Sequence, residues 1–120
     1  MARPGGILSW QWQDYASKHR SRANLLLHIV AVPAFIAGML AALMLLVQLQ
    51  WFGALFAFVF AVMAFAIQGI GHRLEGEAPE PFDGAGDFVT RVLAEQFITF
   101  PRFVLSGGWL RNVATGPGQD

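Results

Sequence analysis

Two apolar runs, three residues apart, leave this chain few ways to fold. Over residues 25–47 the one ionisable side chain is His28, and residues 51–67 carry none. A membrane-crossing helix needs roughly 17–25 predominantly apolar residues. The first run meets that length, and the second meets it with residues 68–70 added. Residues 48–50 can close a turn but cannot span a second crossing, so the two helices must run antiparallel. The rest of the 120-residue chain is too short for a second domain. Charged residues make up 13% of it, where a soluble domain carries about 25%. The reading is a single all-α membrane domain over residues 1–120: an integral membrane helical hairpin with flanking amphipathic helices at the interface.

The charges say which way it points. Before the first run stand Arg3, Lys18, Arg20 and Arg22 against one acid, Asp14; after the second come Arg73 and then Glu75, Glu77, Glu80, Asp83 and Asp87. Lys and Arg near span ends favour the cytoplasmic side, and acids count for little. Both termini are therefore expected in the cytoplasm. The polar, aromatic first residues do not read as a cleavable signal. With no cysteine there is neither a disulfide framework nor a thiolate metal site. No basic face suited to nucleic acid is present.

Along the chain, "ILSWQWQDYASKH" predicts an amphipathic helix at about 7–20. Ser9 can cap it, Asp14 and Lys18 pair one turn apart, and Trp10, Trp12 and Tyr15 suit a membrane–water boundary. The first span is expected at about 24–48, capped by Asn24 and kinked at Pro33, with Ala37, Gly38, Ala41 and Ala42 as a face for close packing. The second is expected at about 51–71. "GEAPEPFDGAGD" reads as a loop. Apolar residues then recur at 88, 89, 92, 93, 97, 100, 103 and 104, opposite Arg91, Glu95, Thr99 and Arg102. That spacing predicts an amphipathic helix at about 86–107, interrupted by Pro101. Residues 112–120 read as a frayed tail.

The hairpin brings histidines together. His28 lies as far before Gln50 as His72 lies after it, so antiparallel helices set both at one depth. His19 falls just outside the same boundary, and Glu75 follows His72 by one turn. Imidazole with carboxylate suits iron or zinc. Ionisable groups inside spans are costly and usually functional. Plainer roles compete: Asn24 as a cap, Tyr15 as a packing residue, and Gln68, Glu95 and Gln96 as polar groups beside apolar surface or as supports for the ligands. Three rival functions stay open on residues alone. His28 and His72 could ligate a b-type haem for electron transfer. The chain could be a membrane scaffold or small transporter subunit. It could be a zinc hydrolase acting on lipids. Two spans alone would bury a metal poorly, so a homo-oligomer is expected.

"YASKHRSRANLLLHIVAVP" reads Tyr-x3-His-x4-Asn-x3-His-x4-Pro, and "GIGHRLEGEAP" and "FPRF" follow it. These motifs resemble the family of the yeast 2-hydroxy fatty acid dioxygenase of phytosphingosine breakdown and its short bacterial relatives. The yeast-type members have more spans and place a Glu four residues after the third His, where this chain has Glu75 at three. The resemblance implies an Fe(II)-dependent α-oxidation that uses O2 to shorten a 2-hydroxy fatty acid by one carbon. It implies His19, His28 and His72 as metal ligands, with Zn or Mn not distinguished by ligand type, and Glu75 as a further ligand or an acid/base group. Arg20 or Arg73 would pair with the substrate carboxylate. Tyr15, Asn24, Gln68 and Gln96 would support ligands or substrate. The implied setting is a bacterial inner membrane.

Overall fold

The structure, a computed structural model, describes residue 3 and residues 5–116. It is all-α, with no strand among the described residues. Helix α1 (Gly6–Gln13) is followed by a 3₁₀ turn (Ala16–Lys18), α2 (Arg22–Val47) and α3 (Trp51–His72). After a loop come α4 (Ala85–Ala94), a π-helical turn (Glu95–Thr99), α5 (Phe100–Leu105) and α6 (Gly108–Thr115).

Helices α2 and α3 form the antiparallel hairpin, each long and apolar enough to cross a membrane. They approach closely at Gly38, where a Cβ would lie 3.0 Å from Ala61 Cβ and 3.1 Å from the Ala57 carbonyl. Of their most apolar windows, 28% and 22% is buried. A core helix of a soluble protein would hide most of its surface. Here Val30, Val47, Phe52 and Phe56 stand outward.

Several local expectations change. The first helix ends at Gln13, Ser9 does not cap it, and Gly5 in the left-handed region precedes it. Ser21, not Asn24, caps α2, its hydroxyl accepting from Asn24 N. Asn24 lies inside α2 and is fully buried. Helix α2 continues through Pro33 without a break. The expected tail from residue 112 starts inside α6, whose Asn112 donates to the Ala16 and His19 carbonyls at 2.9 and 2.8 Å. The remainder of that tail, residues 117–120, lies outside the described residues.

The stripe expected at 86–107 is kept only in part. Val92, Phe100 and Phe103 are buried and Arg102 is exposed, as expected, whereas Arg91 and Thr99 are buried and Val89 and Leu93 face outward. A helix in water would turn its polar stripe out. Ahead of α5 this run buries polar residues as well as apolar ones. Pro101 does not end the run. The π turn, with Phe100 N–H donating to the Glu95 carbonyl, comes just before it. Proline lacks a donor and its ring crowds the carbonyl four residues back. A widened turn immediately upstream relieves that crowding.

Candidate metal centre

His19 sits between the 3₁₀ turn and α2, His28 two turns into α2, and His72 at the last residue of α3. Their ring centroids are 5.3, 5.0 and 4.9 Å apart, pair by pair. One ligand atom from each, with one carboxylate oxygen of Glu95, falls in a group whose members all lie within 4.8 Å of one another. Glu95 opens the π turn.

The donor chemistry fits a cation. His19 Nδ1–H donates to the Tyr15 carbonyl at 2.8 Å, and His28 Nδ1–H donates to the Asn24 carbonyl at 3.0 Å. Each ring is thereby fixed with its Nε2 lone pair free for a ligand bond. Those two Nε2 atoms and His72 Nδ1 are buried without a hydrogen-bond partner of their own, His19 Nε2 standing 3.4 Å from Glu95 Oε2 as an ion-pair contact. Burying a polar atom unpaired costs about 1–3 kcal/mol. Three such atoms converging beside a carboxylate are what a bound cation would satisfy. Trapped between four donors, a porphyrin plane would have no room, so the bis-histidine haem does not fit.

Tyr15 ties the group together. Its hydroxyl donates to Glu95 Oε2 at 2.8 Å and its ring stacks on His19 at 3.8 Å. Burial, then the Glu95 charge, pushes the Tyr15 phenol well above its ordinary pKa. Burial alone would raise the Glu95 carboxyl. The contact with His19 at 3.4 Å, then the neighbouring His28 and His72, outweigh it and hold Glu95 down to about 2. Phe100 and Phe103 close the floor against His28 and His19. This aromatic cover comes from α5 of the same chain.

The carboxylate nearest His72 in sequence does something else. Glu75 Oε1 accepts from Arg20 N–H and Ser21 N–H at 2.8 and 3.0 Å, and Oε2 accepts from Asn24 Nδ2 at 2.5 Å. Both oxygens are engaged in clamping the end of α3 to the start of α2, and Glu75 is not among the four donors. Glu75→Ala should lower stability by about 2–4 kcal/mol, since it strands up to three part-buried donors. Glu75→Gln, which keeps an acceptor for the two backbone donors, should recover most of that in thermal unfolding and should leave metal affinity nearly intact. A collapse of metal affinity in Glu75→Gln would restore Glu75 as a ligand.

A cavity of about 330 Å³ opens beside the group. His19, His72 and Glu95 are among its polar lining residues, and Phe65, Phe88 and Val92 are among its apolar ones. Neither Arg20 nor Arg73 lines it, whereas Lys18 and Arg91 do. Arg91 is committed to the Pro81 and Glu80 carbonyls at 2.9 and 2.8 Å. Lys18 pairs with the half-exposed Asp14 at 3.3 Å. Asn24, Gln68 and Gln96 all lie in the buried interior around the group, with Gln68 also lining the cavity.

Sequence reasoning missed Glu95 as a donor. In the helical pattern it fell on the polar stripe with Arg91 and Thr99, and a stripe is normally assigned to solvent. The signal that could have found it is the run of polar groups at 91, 95, 96 and 99 at the depth of His72, too many for a lipid-facing surface.

The family model described as 2-hydroxy-palmitic acid dioxygenase Mpo1-like matches residues 7–99. The matched stretch holds all four donors; α5 and α6 lie beyond it. No curated protein and no solved structure matches the chain.

Proposed function

The chain belongs to the Mpo1-like family of 2-hydroxy-palmitic acid dioxygenases, and from that premise we propose that it is a membrane-embedded, iron-dependent enzyme for α-oxidation of 2-hydroxy fatty acids. The observation that carries the reading is the convergence of three buried, unpaired imidazole nitrogens and the Glu95 carboxylate on one side of an apolar cavity. Bound Fe(II) would supply activation of O2 and an open position for the substrate's oxygens. The overall reaction balances with O2 as sole oxidant. The bond between the carboxyl carbon and the 2-carbon breaks, and a 2-hydroxy acid plus O2 gives the acid one carbon shorter, CO2 and water.

The chain's own residues divide the remaining work. His19, His28, His72 and Glu95 would hold the metal. Tyr15 and the Asn24 carbonyl would hold the ligands. Phe65, Phe88 and Val92 would take the acyl chain and exclude water from it. Lys18 would take the substrate carboxylate in exchange for Asp14, since an ion pair exposed on one side is worth only about 0–1 kcal/mol. Arg20 and Arg73 would stay at the membrane surface.

Membrane insertion follows from the same features. Lipid would cover the outward apolar faces of α2 and α3 and the exposed Val89, Leu93 and Ile98. Lys18, Arg20, Arg22 and Arg73 lie at the end of the hairpin that carries the histidines, and by the positive-inside rule that end would face the cytoplasm, and both termini with it.

The test is turnover. Detergent-purified chain loaded anaerobically with Fe(II) should consume O2 with 2-hydroxypalmitate and release the acid one carbon shorter. Palmitate, lacking the hydroxyl, should give no uptake, and Zn(II)-loaded chain should be inert. Bound Fe(II) without O2 uptake on any 2-hydroxy fatty acid would overturn the reading.

A further inference from the structure

Gln68 and Gln96 are 1% and 0% exposed, yet neither belongs to the four donors. Gln68 Nε2 donates to Gln96 Oε1 at 2.8 Å, and Gln96 Nε2 donates to Gln68 Oε1 at 2.7 Å. The two amides thus form a closed reciprocal pair across the gap between α3 and the π turn. Gln68 lies one turn before His72, and Gln96 directly follows Glu95. A third amide braces the same turn from the other side. Gln11 of α1 donates through Nε2 to the Arg91 carbonyl at 3.1 Å and accepts through Oε1 from the Thr99 hydroxyl.

The π turn needs such support. It holds one residue more than an α-helical turn, and in sequence terms that residue rotates everything beyond it by about 100°. Glu95, before the extra residue, and Phe100 and Phe103, after it, all face the histidines only because the turn is wide. If the run relaxed to a regular α-helix, either the carboxylate or the aromatic floor would rotate away.

We propose that Gln68 and Gln96 are positioning residues: their amide pair, braced by Gln11, fixes the register of the π turn and so aims Glu95 at the metal. Neither is among the four donors, although Gln68 also lines the cavity. The metal part of this inference rests on the function proposed above; the register part does not.

The experiment uses the full chain in detergent, with Co(II) alone as a visible probe. Both glutamines are replaced together, Gln68→Leu with Gln96→Leu, because exchanging both partners for apolar groups of similar shape is nearly neutral for stability. The double variant should bind Co(II) about 10–100-fold more weakly than wild type, the usual loss when an outer partner of a ligand is removed, with a changed d–d spectrum. In a Glu95→Gln background the same pair of changes should weaken binding by less than about 3-fold, because the effects share one route. An equal loss in both backgrounds, or no loss in either, would overturn the positioning role. Amide hydrogen exchange across residues 95–100 reads the register without any metal. The Leu pair should speed it markedly, and unchanged exchange would overturn the clasp. If wild type binds no Co(II), the metal reading fails, and hydrogen exchange alone decides whether the clasp sets the turn.

Discussion

His28→Ala should strip the purified chain of bound metal while leaving the hairpin folded. His28 is fully buried, its Nδ1 is held by the Asn24 carbonyl, and its Nε2 has no partner but the group it faces. Losing an outer support costs about 10–100-fold in metal affinity; losing a ligand outright should exceed that and take metal content to background. Stability should fall by about 1–3 kcal/mol, the ordinary range for one core change, because the apolar faces of α2 and α3 are untouched. Tyr15→Phe is the graded comparison. It removes one hydrogen bond to Glu95 and keeps the ring on His19, so its metal affinity should fall within the 10–100-fold range of an outer support. Metal analysis with a visible spectrum on wild type and both variants checks the order. Equal metal content in wild type and His28→Ala would remove the physical basis of the site.

What the sequence could show was what depends on counting along a regular helix. The two apolar runs dictated a hairpin, and the equal spacing of His28 and His72 from Gln50 dictated a shared depth, because rise per residue is constant inside α2 and α3. Glu95 escaped the same counting because it opens a π turn, where the period is no longer 3.6 residues. The stripe around it was assigned to solvent because polar residues on an amphipathic helix usually meet water, yet Arg91, Gln96 and Thr99 are buried. Glu75 drew attention through its closeness to His72, but chain proximity says nothing of the backbone donors left unpaired at the start of a helix. Arg20 N–H and Ser21 N–H, just ahead of α2, are where its charge goes. Residues 112–120 looked like a tail because glycine and proline interrupt them, yet Asn112 holds the backbone beside His19, and just ahead of them Trp109 Nε1 donates to the Leu25 carbonyl at 2.9 Å. A few side-chain bonds to distant backbone outweigh weak local propensity, and such bonds leave no periodic trace.

Gly71 and Gly69, two residues apart on α3, should respond oppositely to the same substitution. A Cβ on Gly71 would overlap Asn24 Oδ1 and come within 3.2 Å of Leu27 Cδ1. Asn24 cannot swing aside freely, because its Nδ2 is held by Glu75 and its backbone carbonyl holds His28. Gly71→Ala therefore forces α2 and α3 apart at the depth of the histidines or breaks the Glu75 clamp. Overpacking of this kind costs about 1–3 kcal/mol, and stranding an Asn24 donor adds about 1–3 kcal/mol. Metal affinity should fall with stability, since His28 and His72 sit on the two helices being separated. Gly69 has no protein atom within 4 Å of where its Cβ would be. Its helix loses backbone freedom for no packing gain, so Gly69→Ala should be neutral or stabilise by up to about 1 kcal/mol, with metal content unchanged. Thermal unfolding of the two variants beside wild type, with metal content measured on each, separates the cases. Two alanines that behave alike would mean that Asn24 does not pack against α3, and the clamp that sets His28 against His72 would have to be abandoned.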